Sequence, residues 1–165
     1  MDELEIELSG SLYLTEAGLT RLKAELSYLT VQKRQDIAER IRDSKDHGEF
    51  SEDNSELDEV KVEQAIVENR INDLKTILSG ANVLSPEDIP TDHVGLGSVV
   101  TVHDQERGFD FSVRIVASVE ANAELDLISE EAPMGAAMIG KVVGETVAFE
   151  APAGNITYKV LKIER

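Results

Sequence analysis

The sequence predicts an α+β protein: an N-terminal antiparallel α-helical coiled-coil hairpin over residues 1–80, a linker over 81–97 and a C-terminal β-rich domain over 98–165. Three observations predict it. Leucine, isoleucine and valine recur at steps of three and four through the first 80 residues. Pro86, Pro90, Gly95 and Gly97 then cluster, and β-branched runs separated by turn residues fill the remainder.

Composition sets the bounds. With 41% hydrophobic and 30% charged residues the chain is a folded one, and 165 residues suffice for a small domain plus an extended helical element. Aromatics are only 4% with no Trp, so the core is built from Leu, Ile and Val. The absence of Cys excludes a disulfide framework and thiolate zinc sites, and fits a reducing, cytoplasmic setting. The start, MDELEIELSG, lacks the basic flank and apolar block of a secretory signal. No apolar run approaches the roughly 18 to 20 residues a bilayer requires, so no membrane partner is expected. Sixteen Lys and Arg against 33 Asp and Glu give a formal charge of -17. Such a surface repels phosphate backbones, so autonomous nucleic-acid binding should be weak or absent. Neither half offers a basic face by count, with 10 basic against 19 acidic residues up to position 80 and 6 against 14 beyond it. A basic partner, or one that holds metal ions, fits better.

In LYLTEAGLTRLKAELSYL, Thr15 is a good helix N-cap, Glu16 suits the first turn, and Leu14 and Leu19 are spaced as a hydrophobic staple. Leu19, Leu22, Leu26 and Leu29 share a face that Ile37 and Ile41 continue after a small shift of phase, predicting one helix from about Thr15 to Asp46. In the second helix Leu57, Val60, Gln64, Val67, Ile71, Leu74 and Leu78 form a heptad seam, with Gln64 its one polar member. At about 1.5 Å per residue each helix spans roughly 40 Å, and the matching lengths predict that the two pack on each other. Ser79, Gly80 and Asn82 supply the stop. Beyond the linker, SVVTV, FSVRIV, ETVAFE and ITYKVLKI read as strands, with DQERG and APAGN as turns.

The chemistry concentrates at the hairpin tip, residues 47–53. Asp43, Asp46, Glu49, Glu52, Asp53, Glu56, Asp58 and Glu59 crowd together with only Lys45 and Lys61 nearby. Like charges 6 Å apart cost about 0.7 kcal/mol even in water. Helix capping is one account, since Asp53 and Glu56 have the spacing of a capping box. It leaves Glu49 and Glu52, which precede the cap. Two carboxylates three residues apart in a bend can converge on Mg²⁺, a cation that takes hard oxygen ligands and keeps waters. Alone they would hold it weakly, and they become useful where another molecule supplies the rest of the shell. The order lacks the alternating oxygens of an EF-hand. Ser51 and Ser55 have no His and acid in triad-like register. His47, His93 and His103 receive no role.

These residues carry a resemblance. DHGEFSEDNSELDEVKVEQAIVENRI is similar to the signature of the Gre family of bacterial transcript cleavage factors, LTEAGLTRLKAEL to the family's start, GLGSVV to its linker exit and ISEEAPMGAAMIGKVVGETV to its C-terminal loop. The resemblance spans nearly the whole chain. It implies an FKBP-like fold for the C-terminal domain, and a rod that enters the secondary channel of bacterial RNA polymerase while the C-terminal domain docks on the channel rim. It also implies an accessory factor, not itself an enzyme, that stimulates the polymerase's own Mg-dependent cleavage of the backtracked RNA 3′ end. Carried over position by position, Glu49 and Glu52 are the two tip acids that help the polymerase hold Mg²⁺, with no cofactor bound stably by the factor alone. This meets the metal argument above, because two-metal phosphodiester hydrolysis needs such ligands. Lys45 and Lys61 match basic positions flanking the tip, where they contact RNA phosphate or polymerase acids, or serve as plain surface lysines. Phe50 matches an apolar position that packs under the turn. Pro133, Met134 and Gly135 match the rim-docking loop, although a Pro-x-Gly sequence is also simply a turn.

Departures accompany the match. Glu49 stands where Asp is common, Ala132 where Ser is usual, Ser55 and Leu57 where Ala and Tyr are usual, and Glu52-Asp53-Asn54 has one residue more than the family's Glu-Asn. The extra residue bears on metal geometry and leaves channel binding untouched, which keeps a second reading open: a channel binder that inhibits transcription without stimulating cleavage. Two readings of other classes are weaker. A prolyl isomerase, which the implied fold suggests, would want an aromatic pocket, for which the C-terminal part offers Phe109, Phe111, Phe149 and Tyr158. A dimeric scaffold is opposed by the heptad seam's intramolecular partner, so a monomer is expected.

Overall fold

The computed structural model describes residues 12–48 and 55–165. These divide into two units, one drawn from residues 19–81 and the other from residues 12–18 together with 82–165. Among the described residues no helix is long and apolar enough to cross a membrane.

The first unit is helical. Helix α1 (Glu16–Tyr28) runs through a π-helical turn (Leu29–Lys33) into α2 (Arg34–Gly48), and α3 covers Ser55–Gly80. The π turn is the physical origin of the phase shift between Leu29 and Ile37. A wider turn takes up one extra residue, and the Arg34 N–H reaches back to the Leu29 carbonyl. Thr30 lies inside it, its hydroxyl donating to the Leu26 carbonyl at 2.8 Å. The expected single helix is thus two α segments joined by a π turn.

Four cross-helix ion pairs, made by three carboxylates, fix the pairing of α3 with the first arm. Arg70 binds Glu25 through two bonds of 2.6 and 2.9 Å, and Arg34 binds Glu68 through two of 2.9 and 2.7 Å. Glu63 takes both Lys33, at 2.6 Å, and Arg40, at 2.7 Å. From Glu25–Arg70 to Arg40–Glu63 the number on the first arm rises while that on α3 falls, so the helices are antiparallel. Ile37, Val60, Val67 and Ile71 form the core between them, with Leu26, Leu29 and Ile41 packed on it. Two members of the expected seam differ. Gln64 is exposed, and Ile77 rather than Leu78 is enclosed. At about 100° per residue Leu78 returns to the angular position of Val60, whereas the buried stripe has swung towards Leu74 and Ile77.

The second unit holds two sheets. Strands β1 (Tyr13–Leu14) and β2 (Asn82–Val83) pair in parallel, Leu14 opposite Val83. The larger sheet has the order β5-β4-β3-β7-β6, where β3 is Val99–Asp104, β4 Asp110–Val116, β5 Leu127–Ser129, β6 Thr146–Ala151 and β7 Gly154–Glu164. All its neighbours are antiparallel except β4 and β5. Register shifts where β7 meets β3 between Thr101 and Val102, leaving Leu161 as the extra residue. The four strands read from the sequence are all present, and the short β5 is an addition. Val100, Val102, Val113, Ile115, Val147 and Val160 bury one face, closed by Met138 from the short helix α4 (Pro133–Met138). The segment set apart as a linker is folded into this unit: it includes β2 and a 3₁₀ turn at Pro86–Asp88, and it buries Leu84, Ile89 and Val94.

A carboxylate that sequence reasoning did not single out anchors the start of α1. Thr15 caps the helix, its hydroxyl oxygen accepting from the Gly18 N–H at 3.0 Å. Glu120, almost wholly buried, in turn accepts from the Thr15 N–H at 3.1 Å and from its hydroxyl. Gly18 leaves the space for this, because a Cβ there would lie 2.2 Å from the Glu120 carboxyl carbon.

Candidate functional site

Both helix ends that flank the tip are described, while Glu49, Phe50, Glu52 and Asp53 lie outside the described residues. Helix α2 ends at Gly48 and α3 begins at Ser55. Asp43 and Asp46 sit on the last turns of α2, where the carbonyl end of the helix disfavours a negative charge. Glu56 and Asp58 sit on the first turn of α3, where the dipole favours them. Capping chemistry therefore accounts for the acids on α3 and not for those on α2. Lys45 and Lys61 are both exposed, one on each arm, and neither enters an ion pair among the described residues. Among those residues no three metal-ligating side chains converge.

Behind the tip the arms are held by charge. Hydrogen bonds from Lys33 and then Arg40 keep the Glu63 carboxyl below its ordinary range, and Arg34 does the same for Glu68. Because these pairs are solvent-exposed, they fix register and orientation more than they add stability. Sequence periodicity located the seam. The signal that could have located these pairs is the complementary charge order of the two helices.

The second group of expected residues is contiguous. Pro133, Met134 and Gly135 open α4, a helix where the sequence suggested a loop or turn. Pro133 stands at its first position, where the missing N–H costs nothing, and is exposed. Met134 packs against the sheet core. Gly135 is buried, and a Cβ on it would sit 1.9 Å from the Ser129 carbonyl oxygen at the end of β5, so no larger residue fits there without a shift. Glu130, just before α4, is held above the usual carboxylate range by burial and by the neighbouring Glu131. Exposed Ile139, Val142 and Val143 follow the helix, a surface that sequence reasoning passed over; the apolar run MIGKVVG was its signal.

Residues 12–83 match the sequence family described as "Transcription elongation factor, N-terminal", and residues 89–165 match "Transcription elongation factor, GreA/GreB, C-term". The chain belongs to the GreA/GreB family of transcription elongation factors. Among similar proteins, the transcription elongation factor GreA of Caldanaerobacter subterraneus subsp. tengcongensis is 44% identical over 158 residues, covering 96% of this chain and 100% of that one. GreA of Syntrophomonas wolfei is 43% identical over 152 residues, covering 92% and 95%. The crystal structure of the GreA factor homolog 1 protein of Thermus thermophilus is 32% identical, with a TM-score of 0.44 and coverage of 94% and 99%. The two matches together span every expected site residue in the sequence, from Lys45 to Lys61 and from Pro133 to Gly135.

Proposed function

We propose that this GreA/GreB-family elongation factor binds RNA polymerase in the cytoplasm as a monomer, inserts its acidic hairpin tip into the secondary channel, and stimulates the polymerase's cleavage of backtracked RNA. The observation that supports this most is the antiparallel hairpin, locked by Arg70–Glu25, Arg34–Glu68 and the Glu63 pairs, whose two arms are joined through Glu49 and Glu52. In the proposal Glu49 and Glu52 supply hard oxygens to a Mg²⁺ whose remaining ligands belong to the polymerase, a donor set that suits that ion. Magnesium, when held, polarises a phosphoryl oxygen and lowers the pKa of its water. Lys45 and Lys61 face RNA phosphate or polymerase acids, Phe50 supports the turn, and Pro133, Met134 and Gly135 on α4 form the docking element at the channel rim.

Transcript cleavage on a backtracked complex with the cognate polymerase and Mg²⁺ tests this. Wild type should release short 3′ fragments, and Glu49→Ala or Glu52→Ala should lower the rate by about 10–100-fold, the usual scale for disturbing a metal's surroundings, with binding kept. Equal loss of binding would remove the division between tip and docking element. The extra residue in Glu52-Asp53-Asn54 favours one second reading, an inhibitor that occupies the channel. Wild type that binds and suppresses elongation without shortening the transcript would establish it.

A further inference from the structure

The second unit gathers its aromatics at one end of the large sheet, where the β3–β4 turn and the β6–β7 turn lie side by side and the Gln105 N–H meets the Thr157 carbonyl at 3.3 Å. Three of the chain's four Phe are here. Phe111 meets Tyr158 edge to face with centroids 5.0 Å apart, Phe109 lies 5.8 Å from Phe111, and Phe149 lies 5.5 Å from Tyr158. Phe109, Phe111 and Tyr158 line an open cleft of about 320 Å³ together with Ile156, Arg107 and Asp104, among others, and Phe149 backs Tyr158 from outside the lining. Phe109 is 47% exposed although it lies beside Phe111. None of its lining residues belongs to α4.

The polar groups of the lining differ in what remains to them. Asp104 accepts the N–H groups of Glu106 and Arg107 at 3.0 Å each and so is engaged in shaping the turn. The Arg107 guanidinium makes no ion pair among the described residues, and the Tyr158 hydroxyl no hydrogen bond. Both are donors, which suits an acceptor on the ligand. A carboxylate is disfavoured by the chain's charge of -17 and by Glu106 in the lining, so a neutral carbonyl fits better, and Glu106 complements a basic neighbour. The volume lies at the low end of ligand sites, enough for two or three residues of chain and too small for a cofactor. Aromatic walls that take an apolar side chain while donors hold its carbonyl are the pattern of extended-peptide recognition.

We propose that this cleft binds an extended, neutral-to-basic peptide segment, seating a proline or other bulky apolar residue between Phe109, Phe111 and Tyr158 and its carbonyl against Tyr158 and Arg107. The site is separate from the polymerase reading and stands or falls without it. Titration of the ¹⁵N-labelled full chain with the peptide acetyl-Ala-Leu-Pro-Phe-Lys-amide, followed by amide chemical shifts, is the test. Saturable shifts confined to residues 104–111 and 153–158 are expected, with half-saturation at about 1 mM or below. The peptide acetyl-Ala-Ser-Gly-Ser-Lys-amide should produce none. Phe109→Ala, an exposed position whose loss leaves the rest of the spectrum in place, should weaken binding at least tenfold, and Tyr158→Phe several-fold. Absence of shifts at ten times that concentration, shifts dispersed over the surface, or equal binding by Phe109→Ala would overturn the proposal.

Discussion

Replacing Gly135 by Ala is the most demanding test of how α4 is held. The added Cβ would come 1.9 Å from the Ser129 carbonyl oxygen and 2.9 Å from the carbon of the same group, where real contacts essentially never fall below 3.0 Å. The obstacle is backbone, so no rotamer relieves it, and the helix has to retreat by about 1 Å in an interior packed at crystal density. That same oxygen accepts the Ala132 N–H at 3.1 Å, a bond made at the entry to α4, and fully buried Met138 sits at the helix end in the sheet core. Overpacking costs about 1–3 kcal/mol, and the upper end applies because a hydrogen bond and a core side chain move together. At about 4–8 °C per kcal/mol for a unit of this size, the melting temperature should fall by roughly 10–20 °C. Near-UV circular dichroism, which reports the Phe111–Tyr158 cluster, would follow it. Gly140→Ala is the control, since Gly140 has φ of 82° and nothing within 4 Å of a new Cβ. It should cost only the conformational penalty of about 1–2 kcal/mol. If Gly135→Ala melts no lower than Gly140→Ala, the close approach to Ser129 does not govern α4.

Three further outcomes follow from the geometry. Glu120→Ala removes the acceptor for the Thr15 N–H and hydroxyl in a buried setting and should destabilise the protein by about 1–3 kcal/mol, measurable by urea titration, with Glu120→Gln milder. Glu63 and Glu68 have carboxyls depressed in the folded state, so their contribution is fully present above the ordinary value of 4.5 and is lost as pH falls through the depressed values. Helical circular dichroism of Glu63→Gln should accordingly differ from wild type at neutral pH, converge with it in acid, and differ less in high salt. Glu130 has the opposite sign: a raised carboxyl penalises the folded state at neutral pH and not below the ordinary value, so Glu130→Gln should raise the melting temperature by about 1–2 °C at pH 7, a gain that vanishes in acid.

The legible parts of the fold were those written in local periodicity. Val60, Val67, Ile71 and Leu74 repeat on one helical face, and β-branched runs such as SVVTV and FSVRIV announce β3 and β4. What escaped depends on partners distant in sequence. Strand β5 has three residues, too few for an alternation, and exists because β4 pairs with it in parallel. Gly135 lies where a Cβ would meet the Ser129 carbonyl, a closeness set by the fold of the chain between them, and Glu120 serves a threonine 105 positions away. The π turn was half legible: the slip between Leu29 and Ile37 marked it, but a slip in phase does not say how the backbone absorbs the surplus residue. At the site, residue types at Glu49 and Glu52 suggested oxygen ligation, whereas the arms that carry them were secured by charge pairs that periodicity ignores.

The parallel pairing of β1 with β2 has a consequence for how the chain assembles. Tyr13 and Asn82 become neighbours only after nearly seventy intervening residues have been accommodated, a closure that is slow for a random coil. Those residues form an antiparallel helix pair, which can develop on the microsecond scale from local contacts and returns its two ends to one another. The hairpin thereby acts as a splint that draws together the two strands stitched side by side in the other unit. Because β1 and β2, which flank the hairpin in the chain, pair with each other, adding or removing matched whole turns on both arms would lengthen or shorten the hairpin while the strands keep the same partners.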